Sequence, residues 1–242
     1  MEVQVFSTAP KFMWEIYKKM KTTILVIFLL IIIFIFSTLR SKNYGMIFHT
    51  KNSVVSKGDT EKTYPPYSSF KMVLSLFLSE NSKIKNWKWN GKKHIFPSWN
   101  KNQNEKSWIE NSCVWVSEDI LKKTNLEKIK SFLEVLKYGN NEVDLSNFWL
   151  NGKLKISVKN QIEVIKKLLK NKSFNRELFR IKESKNYIIY GKTGTGEKSG
   201  GCFVGWVEMD KKEFPFAYYD EKSTGKKAKQ KVLENLKILF KE

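Results

Sequence analysis

The chain has 242 residues, 41% of them hydrophobic and 14% aromatic, with 44 basic against 24 acidic side chains for a net charge of +20. This length and apolar content support a packed core and exclude a disordered polar chain. Two cysteines and two isolated histidines, His49 and His94, exclude a disulfide-dense mini-protein and argue against a zinc module, so no metal site is expected. The charge invites a nucleic-acid partner. Yet arginine, preferred for bidentate phosphate and base contacts, occurs only at Arg40, Arg176 and Arg180. The lysines are spread along the whole chain, which reads as a solvated surface.

In chain order, residues 1–21 are a short basic N-terminal segment. Residues 22–39 carry no charge, and Ile24 to Phe36 is continuously apolar. As a helix this stretch reaches about 27 Å, enough for a thin bilayer. Lys18, Lys19 and Lys21 before it predict a cytoplasmic N-terminus and an exported bulk. A membrane anchor fits, and so does a signal peptide beginning at Met20-Lys21, with Ser37-Thr38 as a weak cleavage signal. Either way the remainder faces a periplasmic or other extracytoplasmic compartment, where nucleic acid is not an expected partner.

Gly45–Thr50 reads as a strand, with Val54-Val55 as its partner after a polar turn. Pro65-Pro66 ends any helix and permits a new one, and Lys71–Leu78 is apolar at helical spacing. Residues 81–103, rich in Asn, Lys and Trp, read as loop. Helices are expected over Glu105–Glu110 and Val116–Lys123. Thr124 and Glu127 form a capping box opening Leu126–Lys137. Tyr138–Leu154 reads as a long loop. Ser157 caps Val158–Leu169, and Ser173 caps a shorter helix through Ile181. Tyr187–Tyr190, Cys202–Met209 and Phe214–Tyr219 are strand-like, and Gln230–Phe240 closes the chain as an amphipathic helix. The pattern predicts an α+β fold, a sheet with helices on its faces.

Ser68 and Lys71 lie three residues apart on one face of a helix start, within mutual reach. A serine becomes a nucleophile when a neighbouring base takes its proton, and a lysine held neutral is such a base. Ser-x-x-Lys also occurs at Ser82, Ser98 and Ser223. The Ser68 copy differs in having Pro-Pro before it and an apolar helix after it. Lys192-Thr193-Gly194 follows a strand. There Lys192 offers a cation and Thr193 a hydroxyl for a substrate carboxylate, and Gly194 allows close backbone approach. The N–H of Thr195 is a candidate for half of an oxyanion hole. Gly191–Gly196 is not a phosphate loop, because the residue order is wrong and no helical run follows.

Ser-x-x-Lys and Lys-Thr-Gly together mark serine β-lactamases and penicillin-binding proteins. Between them stand Ser112-Cys113-Val114, Tyr138-Gly139-Asn140 and Phe148-Trp149-Leu150, flanked by Ser107-Trp108, Lys153–Ser157 and Gly205–Glu208. This ordered set resembles the class D, or oxacillinase-type, serine β-lactamases of the penicillin-binding and transpeptidase-like superfamily. The resemblance covers residues 45–242. It implies an antiparallel sheet flanked by helices, with a helical lobe, and hydrolysis of β-lactams through an acyl-enzyme.

By that resemblance Ser68 is the acylated nucleophile, and its own N–H is the other half of the oxyanion hole. Lys71 carries a carbamate formed with carbon dioxide or bicarbonate, which serves as general base for both acylation and deacylation; the Trp149 indole N–H holds it, and no bound cofactor is implied. Formation requires a neutral amine, which burial favours. Ser112 relays a proton to the leaving nitrogen. Val114, Phe70 and Leu150 supply apolar walls, Tyr138-Gly139-Asn140 shapes the site, and Trp99 lines the cleft. The family's arginine near the last helix is missing, so Lys226 or Lys227 is expected to meet the substrate carboxylate without a bidentate fork. Cys113 is expected to be a packed side chain. A Cys113–Cys202 disulfide is compatible with the compartment, though no feature of the sequence supports it. The rival reading is a membrane-anchored β-lactam sensor or penicillin-binding protein that acylates but deacylates slowly. A noncatalytic basic binding protein would leave the ordered motifs unexplained. Monomer and homodimer both remain open.

Overall fold

A computed structural model describes residues 11–39, 43–144, 147–198 and 200–240, without the side chains of residues 11, 12, 30, 32–39 and 151. The chain divides into two units, Met1–Lys42 and Asn43–Glu242. In the first, α1 (Lys11–Leu39) runs without a break. No glycine or proline interrupts it, so the basic segment from Lys11 onward is helical together with the apolar run. Among the described residues no helix is long and apolar enough to cross a membrane. The side chains of residues 30 and 32–39 of the 22–39 run, and residues 1–10 of the basic segment, fall outside them.

The second unit begins with β1 (Tyr44–His49), β2 (Val54–Gly58) and the two-residue β3 (Thr63–Tyr64). A 3₁₀ turn, Tyr67–Phe70, opens directly into α2 (Lys71–Asn81). Then come β4 (Asn86–Trp87), β5 (Gln103–Asn104), α3 (Glu105–Glu110), α4 (Val114–Lys122), α5 (Leu126–Leu136), α6 (Phe148–Asn151), β6 (Ile156–Ser157) and α7 (Val158–Lys170). The chain closes with β7 (Arg180–Glu183), β8 (Ile188–Thr195), β9 (Gly201–Met209), β10 (Lys212–Asp220) and α8 (Gly225–Leu239). Six strands form one antiparallel sheet in the order β2-β1-β10-β9-β8-β7, so the first hairpin joins the last one across a long sequence separation. The β9–β10 turn places Asp210 and Lys211 at φ 53° and 59°, the left-handed pair that a two-residue hairpin needs to match strand twist.

Alternation along the strands divides the core. Cys202, Val204 and Trp206 of β9 face the helical lobe with Ala217 and Tyr219 of β10. Phe203 and Val207 face the other way, with Phe216 and Tyr218, onto Ala228, Val232 and Leu236 of α8. β9 is buried on both faces, as a central strand between two helical layers must be.

Several local expectations change. Asn125, not Thr124, caps α5, its side chain accepting from Glu127 N at 2.8 Å, while Thr124 Oγ1 turns back to Ile120 O at 2.8 Å. The segment after Ser173 is a 3₁₀ turn, Arg176–Phe179, leading into edge strand β7 rather than a capped helix. Arg176 ties that turn to Leu169 O and Glu213 Oε1, both at 2.6 Å, and sheet pairing overrides helix propensity. The 81–103 stretch contains the β4–β5 ribbon and a 3₁₀ turn at Pro97–Trp99. The long loop after Tyr138 contains α6. Helix α4 starts at Val114, and α8 starts at Gly225 with Thr224 as its cap.

Leu236 is 1% exposed in the α8 layer and Ile238 is 77% exposed on the same helix. Leu236→Ala is expected to cost about 2–5 kcal/mol in urea unfolding with an unchanged slope. Ile238→Ala is expected to stay within about 0.5 kcal/mol.

Candidate active site

The site starts from two prolines. Pro66 O accepts both Ser69 N at 3.1 Å and Ser69 Oγ at 2.5 Å, which tightens the chain into the 3₁₀ turn. The turn leaves Ser68 half-buried and carries Lys71 to 0% exposure at the first position of α2. Lys71 Nζ lies 3.4 Å from Ser68 Oγ and donates to it. Burial, reinforced by the charge of Lys192 and opposed by Cys113 and Glu118, brings the Lys71 amine down to about 7. Near neutral pH a substantial part of this amine, about half, is therefore neutral and able to accept a proton.

Ser112 stands at the junction between α3 and α4 with φ 52°, a left-handed conformation that is costly for a residue with a side chain. Its hydroxyl accepts a hydrogen bond from Lys192 Nζ. β7 pairs with Ile188–Tyr190, so among the described residues the half of β8 from Gly191 to Thr195 keeps an unpaired edge beside the nucleophile turn. Lys192 is 5% exposed, and burial lowers its ammonium to about 8, with Cys202 opposing and Lys229 adding. Its amine reaches Ser112 and Thr193 O instead of standing open as a free cation.

A cleft of about 630 Å³ opens over this cluster. Ser68, Ser98, Ser112, Thr193 and Thr195 are among the hydroxyl side chains that line it, and Trp99, Val114 and Leu150 provide apolar wall. Trp99 is fixed by its indole donating to Asn111 O at 2.9 Å and by its carbonyl accepting from Trp115 Nε1 at 3.0 Å. Thr195 Oγ1 accepts from Gly225 N at 2.8 Å, seating the start of α8 beside the end of β8.

Trp149 is buried behind the cleft, stacked on Phe70 at 6.0 Å, and its indole Nε1 has no hydrogen-bond partner among the described residues. Such an orphaned buried donor costs on the order of 1–3 kcal/mol, so it requires an explanation. Phe70 itself backs Trp149, Phe148 and Tyr138 rather than forming cleft wall, because the 3₁₀ turn directs it into the core. Tyr138-Gly139-Asn140 lies beneath the site. Tyr138 packs edge-on to Phe70, and Gly139 N donates to Asn160 Oδ1 at 2.7 Å. Asn140 holds the 153–155 segment through Lys155 N at 2.9 Å and Lys153 O at 2.8 Å.

Two expected roles are displaced. A Cβ on Gly194 would lie 2.8 Å from Cys202 Sγ and 2.9 Å from Pro66 O. The missing side chain thus makes room for the nucleophile turn, not for substrate backbone. Lys226 and Lys227 are exposed on the first turn of α8 and do not line the cleft. Cys113 and Cys202 are separate buried free thiols. Among the described residues no cluster of His, Cys, Asp and Glu could hold a metal.

Sequence reasoning missed Tyr67, Ile95 and Phe96, which line the cleft. Ile95 and Phe96 are 86% and 53% exposed. The available signal was an apolar pair in a stretch otherwise rich in Lys and Asn. Lys229, half-buried on the α8 face turned to Lys192, was also missed.

Residues 39–176 match the family described as penicillin binding protein transpeptidase domain. Beta-lactamase OXA-20 of Pseudomonas aeruginosa is 31% identical over 170 residues, 64% of this chain and 64% of that protein. Regulatory protein BlaR1 of Staphylococcus aureus is 30% identical over 214 residues, 78% of this chain and 36% of that protein. The chain therefore spans about a third of the length of its staphylococcal relatives. A class D β-lactamase structure from Bacillus subtilis superposes with a TM-score of 0.76 at 25% identity, covering 83% of this chain and 93% of the other. The chain belongs to the penicillin-binding protein transpeptidase domain family, within the superfamily that includes the class D serine β-lactamases.

Proposed function

We propose that the protein hydrolyses β-lactams through an acyl-enzyme on Ser68. The observation that carries this reading is the fully buried Lys71, its amine lowered to about 7 and hydrogen-bonded to a serine that opens onto a cleft. Lys71 receives the Ser68 proton, and Ser68 Oγ bonds to the lactam carbonyl carbon. Ser112, whose hydroxyl is held by Lys192, passes a proton to the lactam nitrogen as the carbon–nitrogen bond breaks. The N–H groups of Ser68 and Thr195 are assigned to the developing oxyanion. Thr193 and Thr195, with the Lys192 ammonium behind them, are assigned to the substrate carboxylate.

The pocket also fits a carbamate on Lys71. A neutral amine is available, and the unpartnered indole N–H of Trp149 is packed against Phe70, the neighbour of Lys71 in the chain. Carbon dioxide bound in this way supplies a carboxylate base beside Ser68. Export fits the reading, with residues 22–39 as anchor or signal segment. The second reading, a sensor that acylates and deacylates slowly, is favoured by the 30% identity to Regulatory protein BlaR1 over most of this chain.

Multiple turnover of a chromogenic cephalosporin, increased by added bicarbonate, is expected for the hydrolase. A burst of one equivalent with a persistent acyl-protein in intact mass spectrometry indicates the sensor, and absence of both acylation and turnover rejects both readings. Ser68→Ala is expected to abolish acylation, and Ser112→Ala to slow it by roughly 10²–10⁴-fold, the range for a lost acid–base group.

The pH profile follows from the two lysines. Lys71 is ammonium below about 7 and neutral above it, so activity is expected to fall on the acid side. Lys192 loses its positive charge above about 8, so affinity for a carboxylate substrate is expected to fall on the alkaline side. The profile of kcat/KM against pH checks both limbs. Stimulation by bicarbonate is expected to be greatest on the acid side, where less neutral amine is present.

A further inference from the structure

Among the described residues that line the cleft over Ser68, Glu197 alone carries a charged side chain. In a chain of net charge +20, an acid at this place is the reverse of what composition predicts. Lys198, the next residue, is exposed but does not line the cleft. Glu197 is exposed, and among the described residues its carboxylate is engaged in no hydrogen bond or ion pair. The turn that carries it is fixed nonetheless. Gly196 N donates to Gly200 O at 2.9 Å. Gly200, at φ 96°, packs so closely that a Cβ there would lie 2.7 Å from Tyr67 Oη, so the turn rests on the residue before Ser68.

The same cleft has an apolar wall that the proton transfers do not use. Ile95 and Phe96 line it while 86% and 53% exposed. The Phe96 ring lies 5.0 Å from that of Trp99, and Trp99 N donates to Phe96 O at 2.9 Å. Asn100 closes the loop, accepting from His94 N at 2.7 Å and donating to His94 O at 3.1 Å.

The lactam carbonyl is assigned to Ser68, and the substrate carboxylate to Thr193 and Thr195. What remains of a β-lactam is its acyl side chain, and what remains of the cleft is the aromatic wall and Glu197. The cleft is thus bipolar, with the Lys192 ammonium behind the threonines and a carboxylate two residues past Thr195. That arrangement complements a zwitterion and opposes a dianion. An ammonium also gains from the faces of aromatic rings such as Phe96 and Trp99.

We propose that Glu197 is a specificity-determining residue that favours β-lactams with a cationic, aryl-bearing acyl side chain and disfavours those with an anionic one. The inference rests on Ser68 being the acylated nucleophile. Benzylpenicillin, ampicillin and carbenicillin form a matched series, sharing a phenylacetamido group and differing at its α-carbon in hydrogen, ammonium and carboxylate. The test is the second-order acylation rate constant of the full chain with each, by stopped flow and intact mass, at about pH 6.5, where an α-amine is charged. Ratios to benzylpenicillin cancel the reactivity common to the series. Glu197→Gln is expected to lower the ampicillin ratio about threefold and raise the carbenicillin ratio by a similar factor, the scale of one solvent-facing charge pair. Glu197→Lys is expected to push both ratios further the same way. In about 1 M NaCl the wild-type ratios are expected to approach those of Glu197→Gln. Glu134→Gln on α5, which removes an exposed acid that does not line the cleft, is expected to leave them unchanged.

An ampicillin ratio that changes by less than about 1.5-fold in Glu197→Gln overturns the inference and leaves the Ser68 reading intact. So does an equal change in Glu134→Gln, or an effect of Glu197→Gln that persists undiminished in high salt. Wild-type protein that no penicillin acylates overturns the Ser68 reading itself, and this inference with it.

Discussion

The site depends on one enclosed amine. Lys71 has no exposed surface, and an ammonium buried there without a full set of partners is expensive. The neighbouring Lys192 charge adds to the cost, so the neutral amine becomes accessible near pH 7. That single condition turns an ordinary serine three residues earlier into a candidate nucleophile. It follows from the packing of α2, whose stretch from Lys71 to Leu78 is buried at every position. A helix buried on all sides is a core helix, and its first residue lies directly behind Ser68, which lines the cleft.

The sheet and the helical lobe contribute different parts. The lobe supplies Ser68, Lys71, Ser112 and Trp149, and β8 supplies Lys192, Thr193 and Thr195. Close approach between them depends on small residues and on carbonyls already in use. Gly194 lets β8 reach the nucleophile turn, and the Ser112–Lys192 bond links the lobe to the sheet. The two left-handed residues at the cleft, Tyr67 and Ser112, lie on the lobe side of this junction. Strain concentrated where two layers meet is consistent with backbone conformations fixed by tertiary packing rather than local preference.

Much of the architecture was legible. Hydrophobic periodicity located α2, α7 and the three long strands, and Ser157 was a readable cap for α7. Thr124 illustrates the limit. Thr124 and Asn125 are both good caps, and the choice between them lay in which carbonyl of the preceding helix Thr124 could reach. The 81–103 stretch shows another. Its ribbon is held by Asn side chains on backbone groups, including Trp89 N to Asn102 Oδ1 at 2.9 Å and His94 N to Asn100 Oδ1 at 2.7 Å. Such contacts leave no periodic signature.

The net charge of +20 also changes in meaning. It suggested a polyanion partner, yet the lysines that matter are two buried amines whose charge is depressed. The sequence by itself determined the chemical types, the order of the motifs and the α+β alternation, because these depend on residue identity and local spacing. Only the tertiary structure decided that Lys192 points at Ser112, that Gly194 accommodates the nucleophile turn, and that Lys226 and Lys227 remain on the surface. Each of these depends on the distance between segments far apart in the chain, and that distance is set by how the two layers pack.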